Sequence, residues 1–209
     1  MAANDATAGP WPLLIVEDDP ALSSYLAAAL GAKGFSVEVA RDRASALACL
    51  STLKSPSLVM LDLGLPPAPS TMAEGLAVLD DCLAKSPSSK VVVLTGQDEN
   101  AAALEAIRRG AFDFLVKPAS VSQIVQSLRR AMLFLREESR MAEAGEARVQ
   151  LTARINEGPK EAAAAAEEQL LRRTLAEADY NVAEAARKLG LAREHVYYYL
   201  NKYGIRRPD

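Results

Sequence analysis

Histidine, tryptophan and cysteine are scarce in this chain of 209 residues, which has one His, one Trp and two Cys. A zinc site is not expected with a single imidazole. Cys49 and Cys82 lack CxxC spacing and each fall in a helical pattern, so they read as reduced, structural thiols. No apolar run approaches the roughly 18 residues of a membrane span. Residues 1 to 10 lack the basic start and apolar centre of a secretory signal, so a cytoplasmic protein with no membrane partner is expected. The loop G-x-x-x-x-G-K-[ST] is also missing, which argues against ATP hydrolysis through a P-loop. A strong charge of one sign is absent as well. The net charge of −3 divides into −3 over residues 1 to 135, −1 over 136 to 166 and +1 over 167 to 209, so charge alone does not announce a nucleic-acid partner.

What is present is a composition suited to a real core, 50% hydrophobic and 24% charged. Leu13 to Val16, Leu58 to Leu61 and Val91 to Leu94 are continuous apolar runs, as strands buried on both faces would be. Phe35 to Ala40 alternates like a more exposed strand, and Phe112 to Val116 forms a fifth. Helical patterns separate them. Asp19 and Asp42 stand as N-caps, with Pro20 in a first turn, and the last helix of this region runs from Ser120 to about Arg136. Trp11 reads as a tail residue packing against the first strand. Strands alternating with helices through short loops predict an α/β fold: a (βα)5 doubly wound parallel sheet of order 2-1-3-4-5.

In that order the strand tips converge at the switch point between the first and third strands. Glu17 and Asp18 end the first strand, Asp62 the third, Thr95 the fourth and Lys117 the fifth. Three carboxylates held together repel one another, and a hard divalent cation taking oxygen ligands, Mg²⁺ first among them, would neutralise them. A carboxylate beside such an ion can attack phosphorus while a lysine and a hydroxyl stabilise the equatorial oxygens.

The segments Val16-Glu17-Asp18-Asp19, Leu61-Asp62-Leu63-Gly64-Leu65-Pro66, Leu94-Thr95-Gly96 and Phe114-Leu115-Val116-Lys117-Pro118 together resemble the receiver domain of bacterial two-component response regulators. The resemblance covers about residues 11 to 135. It implies that Asp62 accepts a phosphoryl group from a sensor histidine kinase. Asp18 and the Gly64 carbonyl would be metal ligands, with Glu17 acting through metal-bound water. Thr95 and Phe114 would form the switch pair, and the Lys117-Pro118 bond would be cis. One departure is the third-strand loop, where Pro67 to Glu74 separate Pro66 from Gly75 although receivers usually place that glycine a few residues beyond the proline.

Residues 136 to 166 are rich in Ala and Glu with a poor heptad. They read as a helical linker with room for a short coiled coil, interrupted at Asn156-Glu157-Gly158-Pro159. Beyond them, Glu167 to Ala178, Val182 to Leu189 and Arg193 to Tyr203 read as three helices, the last two joined by a Gly190-Leu191 turn in a helix-turn-helix pattern. Of Tyr197, Tyr198 and Tyr199, spread about 100° apart around one helix, at least one should be core.

This small all-α domain of residues 167 to 209 resembles the Fis-type helix-turn-helix of enhancer-binding regulators, without their central ATPase. The resemblance implies that its last helix enters the major groove of double-stranded DNA. Arg193, Glu194, His195, Tyr198 and Lys202 would face the bases, and Arg187, Lys188, Arg206 and Arg207 the phosphates. Ala192 stands where relatives favour a polar cap. The expectation is a phosphorylation-controlled transcription regulator that acts as a homodimer and is not an enzyme with a separate substrate. The alternative is a phosphorelay scaffold or phosphate sink whose helix-turn-helix serves dimerisation.

Overall fold

A computed structural model of the chain describes residues 9 to 53, 57 to 96, 99 to 146 and 159 to 207. The chain divides into two compact units, each described by itself. The first is built on five parallel strands, β1 (Trp11–Val16), β2 (Phe35–Ala40), β3 (Leu58–Leu61), β4 (Lys90–Thr95) and β5 (Asp113–Val116), in the order β2-β1-β3-β4-β5. The expected α/β architecture and strand order are those observed. Between the strands run α1 (Pro20–Gly31), α2 (Arg43–Thr52), α3 (Ala73–Lys85) and α4 (Glu99–Arg108), and α5 (Val121–Glu143) follows β5.

The apolar runs become strands because both of their faces are covered. Every residue of β3 and β4 is buried, and Leu14, Ile15, Val16, Val59, Leu61, Val91, Val92 and Val93 are fully so. Trp11 is part of the first strand, not a tail packed against it. It is the first residue of β1, in register with Phe35, and its amide donates to the Gly34 carbonyl. The helix starts have local causes. Asp19 accepts from the amides of Ala21 and Leu22, with Pro20 opening the helix. Asp42 and Ser45 cap α2 reciprocally in a capping box.

Helix α5 continues to Glu143, beyond the end expected near Arg136, because Arg, Glu, Met and Ala all favour helix. It stops where Gly145 takes φ +78, open to glycine and strained for other residues. Most of the expected interruption at Asn156 to Pro159 lies outside the described residues.

The second unit holds α6 (Pro159–Glu177), α7 (Val182–Leu189) and α8 (Arg193–Lys202). Its core is Leu171, Leu175, Ala178, Ala185, Ala186, Val196 and Ile205, with Leu189, Tyr199 and Tyr203 packed against it. Asn181 caps α7 through the amides of Ala183 and Glu184. Gly190, at φ +64, closes that helix and turns the chain towards α8. The N-cap of α8 is Ala192, which supplies no side-chain hydrogen bond. Cys49 and Cys82 are both reduced thiols. No helix among the described residues is long and apolar enough to cross a membrane.

Candidate functional site

Sheet register brings the polar residues together. Val16 of β1 is paired with Leu61 of β3, so Glu17 and Asp62, each the next residue, leave the sheet side by side. Thr95 closes β4 in register with Val116, and Lys117 follows immediately on the edge strand. This is the point where the chain reverses direction across the sheet, the place a parallel α/β fold leaves open for a ligand.

Glu17 and Thr95 are buried at 3% and 0% exposure and Asp62 at 8%, while Asp18 is half-buried. The Lys117 ammonium donates to Glu17 Oε2 at 2.7 Å and to Asp62 Oδ2 at 2.7 Å. The Lys117 amide donates to the Thr95 carbonyl at 3.0 Å, and the bond to Pro118 is cis. On the other side of Asp62, Oδ1 accepts the Gly64 amide at 3.2 Å. Glu17 Oε1 accepts the Asp19 amide at 3.4 Å.

The electrostatics follow from burial. Desolvation raises the Glu17 carboxyl above its ordinary range, although the Lys117 ammonium works against it. Desolvation by itself would depress Lys117, but its hydrogen bonds and charge pairing with Asp62 and Glu17 outweigh that and hold it above the usual lysine value. Carboxylate oxygens of Glu17, Asp18 and Asp62 lie within 4.8 Å of one another. That cluster of hard oxygens fits a divalent cation of the Mg²⁺ or Ca²⁺ kind, and the set offers no sulfur or imidazole to select a softer metal.

Phe114, half-buried, is in register with Val93, two residues before Thr95 and hence on the same face of the sheet. Glycine was also needed at position 75, a requirement that spacing alone did not reveal. A β-carbon there would stand 2.3 Å from Cα of Leu63, so the first turn of α3 lies directly against the backbone that follows Asp62.

In the helical unit the expected contact residues are placed unevenly. Arg193, Glu194, His195, Tyr198, Lys202, Arg206 and Arg207 are exposed, as are Arg187 and Lys188. Several of the cations already face acids of the same chain. Arg187 pairs with Glu184 at 2.5 Å, Lys188 with Glu177 at 4.0 Å, Lys202 with Glu167 at 2.7 Å and Arg207 with Asp179 at 3.5 Å. Tyr199 is the inward member of the tyrosine triplet. Tyr197, 56% exposed, was absent from the expected set, although its spacing of four from Arg193 puts it on the same helix face.

The response regulator receiver domain family matches residues 13 to 129, and the bacterial regulatory protein, Fis family, matches residues 162 to 203. The nitrogen assimilation regulatory protein NtrX of Azorhizobium caulinodans is 36% identical over 59% of this chain and 26% of its own length. The acid tolerance regulatory protein ActR of Rhizobium meliloti is 36% identical over 56% of this chain and 57% of its own. This chain therefore spans well under two thirds of either relative. A crystal structure of a Burkholderia pseudomallei response regulator with a phosphorylated aspartic acid, calcium ion and citrate is 25% identical. It covers 88% of this chain and 94% of its own, with a TM-score of 0.52.

Proposed function

Because the chain belongs to the response regulator receiver family and carries a Fis-type helix-turn-helix, we propose that Asp62 is its phosphoacceptor and that phosphorylation governs transcription through DNA binding by residues 167 to 209. The observation that carries this reading is the Lys117 ammonium bridging Glu17 and Asp62 with Asp18 beside them. The solved regulator with a phosphorylated aspartic acid and calcium ion supports it. The division into a receiver over residues 11 to 135, a linker over 136 to 166 and a DNA-binding domain over 167 to 209 is part of the same proposal. So is a cytoplasmic homodimer.

Asp18, Asp62 and the Gly64 carbonyl would hold Mg²⁺, with Glu17 acting through water. Once bound, that ion offsets the carboxylate charge and polarises the incoming phosphoryl oxygens. The chain's own residues do the rest. A carboxylate oxygen of Asp62 attacks the phosphorus of a phosphohistidine on the kinase. The new P–O bond forms as the P–N bond breaks, and the histidine nitrogen keeps the bonding electrons. Burial strips water from Asp62. Lys117 remains a cation through the neutral range and orients the acceptor before pairing with the transferred oxygens. Thr95 turns its hydroxyl to the phosphoryl group, and Phe114, on the same sheet face, moves into the space it leaves.

The test is to treat the full chain with acetyl phosphate and Mg²⁺ and to follow intact mass, light scattering and duplex binding. Wild type should gain one phosphoryl group and change its assembly and DNA affinity, whereas Asp62→Asn should do neither. Identical behaviour of the two proteins would sink the proposal. The alternative, a phosphate sink whose helix-turn-helix serves dimerisation, draws on the acids that face Arg187, Lys188, Lys202 and Arg207. It predicts phosphorylation of Asp62 with no duplex retained even at low salt.

A further inference from the structure

Helix α8 presents two adjacent aromatic rings to solvent. Tyr198 is 61% exposed, and Tyr197 beside it 56%. An exposed tyrosine is unremarkable when it is loose, but Tyr198 is supported. Its ring meets the Tyr199 ring edge-on, with centroids 5.3 Å apart and planes at 68°. Tyr199 lies parallel to Tyr203 at 6.3 Å. Tyr203 is fixed in turn by its hydroxyl, which donates to Glu167 on α6, and the Lys202 ammonium sits 4.6 Å from the Tyr203 ring centre. Tyr198 is thus the outer rung of an aromatic ladder anchored in the core of the unit. Contacts of this kind orient a ring at little entropic cost on binding, because the ring has already lost most of its freedom.

Its neighbours on the helix bear on what would cover it. Glu194 lies one turn earlier and Lys202 one turn later on the same side of α8, and Arg187, Lys188, Arg206 and Arg207 are exposed elsewhere on this unit. On a unit matched by the Fis family, a braced ring exposed on the second helix of a helix-turn-helix suits the floor of a major groove better than it suits an apolar protein surface. Salt-sensitive attraction is weak, since four of the candidate cations already face acids. Sequence discrimination must then lean on contacts at the base edges. The one apolar group that base pairs display in the major groove is the C5-methyl of thymine.

Resting on the reading of α7 and α8 as a DNA-binding pair, we propose that Tyr198 is a specificity-determining residue whose ring packs on thymine methyl groups. The preferred duplex sites therefore carry thymine opposite the centre of α8.

The test starts with selection of duplexes from a random pool by the full-length protein at low salt. The winning site is then resynthesised with deoxyuridine in place of each thymine in turn, which removes only the methyl. Loss of one contacted methyl should weaken binding about fourfold. Tyr198→Phe keeps the ring and should keep that discrimination, whereas Tyr198→Ala should bind thymine and uracil sites equally while its circular dichroism matches wild type. If sites are selected but uracil costs nothing at any position, the proposal fails and the DNA-binding reading stands. A Tyr198→Phe variant that loses discrimination with the alanine variant would also overturn it, by assigning the effect to the hydroxyl and a phosphate. If no duplex is retained at any salt, the underlying reading fails. If Tyr198→Ala instead changes only the assembled mass, the ring belongs to a contact between copies.

Discussion

Gly75 and Leu63 are packed backbone to backbone: a β-carbon at position 75 would stand 2.3 Å from Cα of Leu63, 2.7 Å from its carbonyl oxygen and 2.8 Å from that of Asp62. All three are backbone atoms, so no side chain can swing aside to relieve the clash. Gly75→Ala must therefore push α3 away from the segment that follows the candidate phosphoacceptor. The expected outcome is a loss of about 1 to 3 kcal/mol in the urea unfolding of the receiver unit. Phosphorylation by acetyl phosphate should slow as well, because the displaced peptide group is the one next to Asp62. A variant with unchanged midpoint and rate would show that α3 can retreat without cost.

Lys117 is the only cation seen between Glu17 and Asp62 among the described residues, and removing it leaves two buried carboxylates facing each other. Lys117→Met should destabilise the apo protein by about 2 kcal/mol. That figure is reduced from the value for a fully buried pair because the lysine side chain is 23% exposed. Mg²⁺ should recover more stability in the variant than in wild type, since an ammonium no longer neutralises the same oxygens. Thermal melts with and without Mg²⁺ measure both. An equal gain in the two proteins would argue that Lys117 and the metal do not share the charge of this site.

Much of this site was readable because its residues sit where apolar runs end. Leu58 to Leu61 is buried throughout, so the first carboxylate after it is placed by the strand, and the same holds for Glu17 after Val16. The N-caps Asp19 and Asp42 were equally local signals. Other features depend on partners that sequence spacing does not reveal. Lys202 meets Glu167 from 35 residues away, and Gly75 meets Leu63 across a loop. The reach of α5 to Glu143 and the start of α6 at Pro159 were hidden for a different reason. Alanine, glutamate and arginine carry helix propensity without an apolar stripe whose period marks the ends. Trp11 was misplaced because the apolar pattern of β1 begins two residues later, while its pairing with Phe35 belongs to the sheet.

The start of α8 has room for improvement. Ala192 holds the extended backbone of an N-cap, at φ −72 and ψ 150, yet has no oxygen to offer the first amides of the helix. Ala192→Ser should stabilise the helical unit by about 1 kcal/mol without altering charge. Asn181→Ala should lose about as much, because Asn181 caps α7 through two amides. Urea titrations followed by tyrosine fluorescence would measure the pair, and the opposing signs make a general effect of substitution easy to recognise.

Cys49 should be a slow nucleophile. Burial first, and then the hydrogen bond and charge of Glu38, push its thiol up to about 11. At pH 8 about one molecule in a thousand carries the thiolate, the reactive form, against about a quarter for an ordinary cysteine. Iodoacetamide should therefore label native Cys49 far more slowly than the unfolded chain, with the rate still climbing at pH 10. Glu38→Gln should raise the rate modestly, since burial remains the larger cause. A plateau below pH 9 would contradict this environment.

The contact of Glu167 with Lys202 and Tyr203 fixes how the helical unit responds to pH. The hydrogen bond from Lys202, and after it that from Tyr203, holds the Glu167 carboxyl below its ordinary 4.5. The unfolded chain therefore binds the proton more readily than the folded one. Stability from this contact is complete above pH 4.5 and is lost as pH falls through the lower folded value. On the alkaline side the sign reverses. Bonding to Glu167 raises the Tyr203 phenol above its ordinary 10.0, so that contribution is complete below pH 10 and is lost as pH climbs through the raised value. Lys202 is raised in the same direction by the same carboxylate. The difference in stability between wild type and Glu167→Gln should thus be flat from about pH 5 to 9 and shrink at both ends. Urea unfolding across that range measures it. A difference that persists unchanged at pH 3 would mean that Glu167 acts through packing, with its charge contributing nothing.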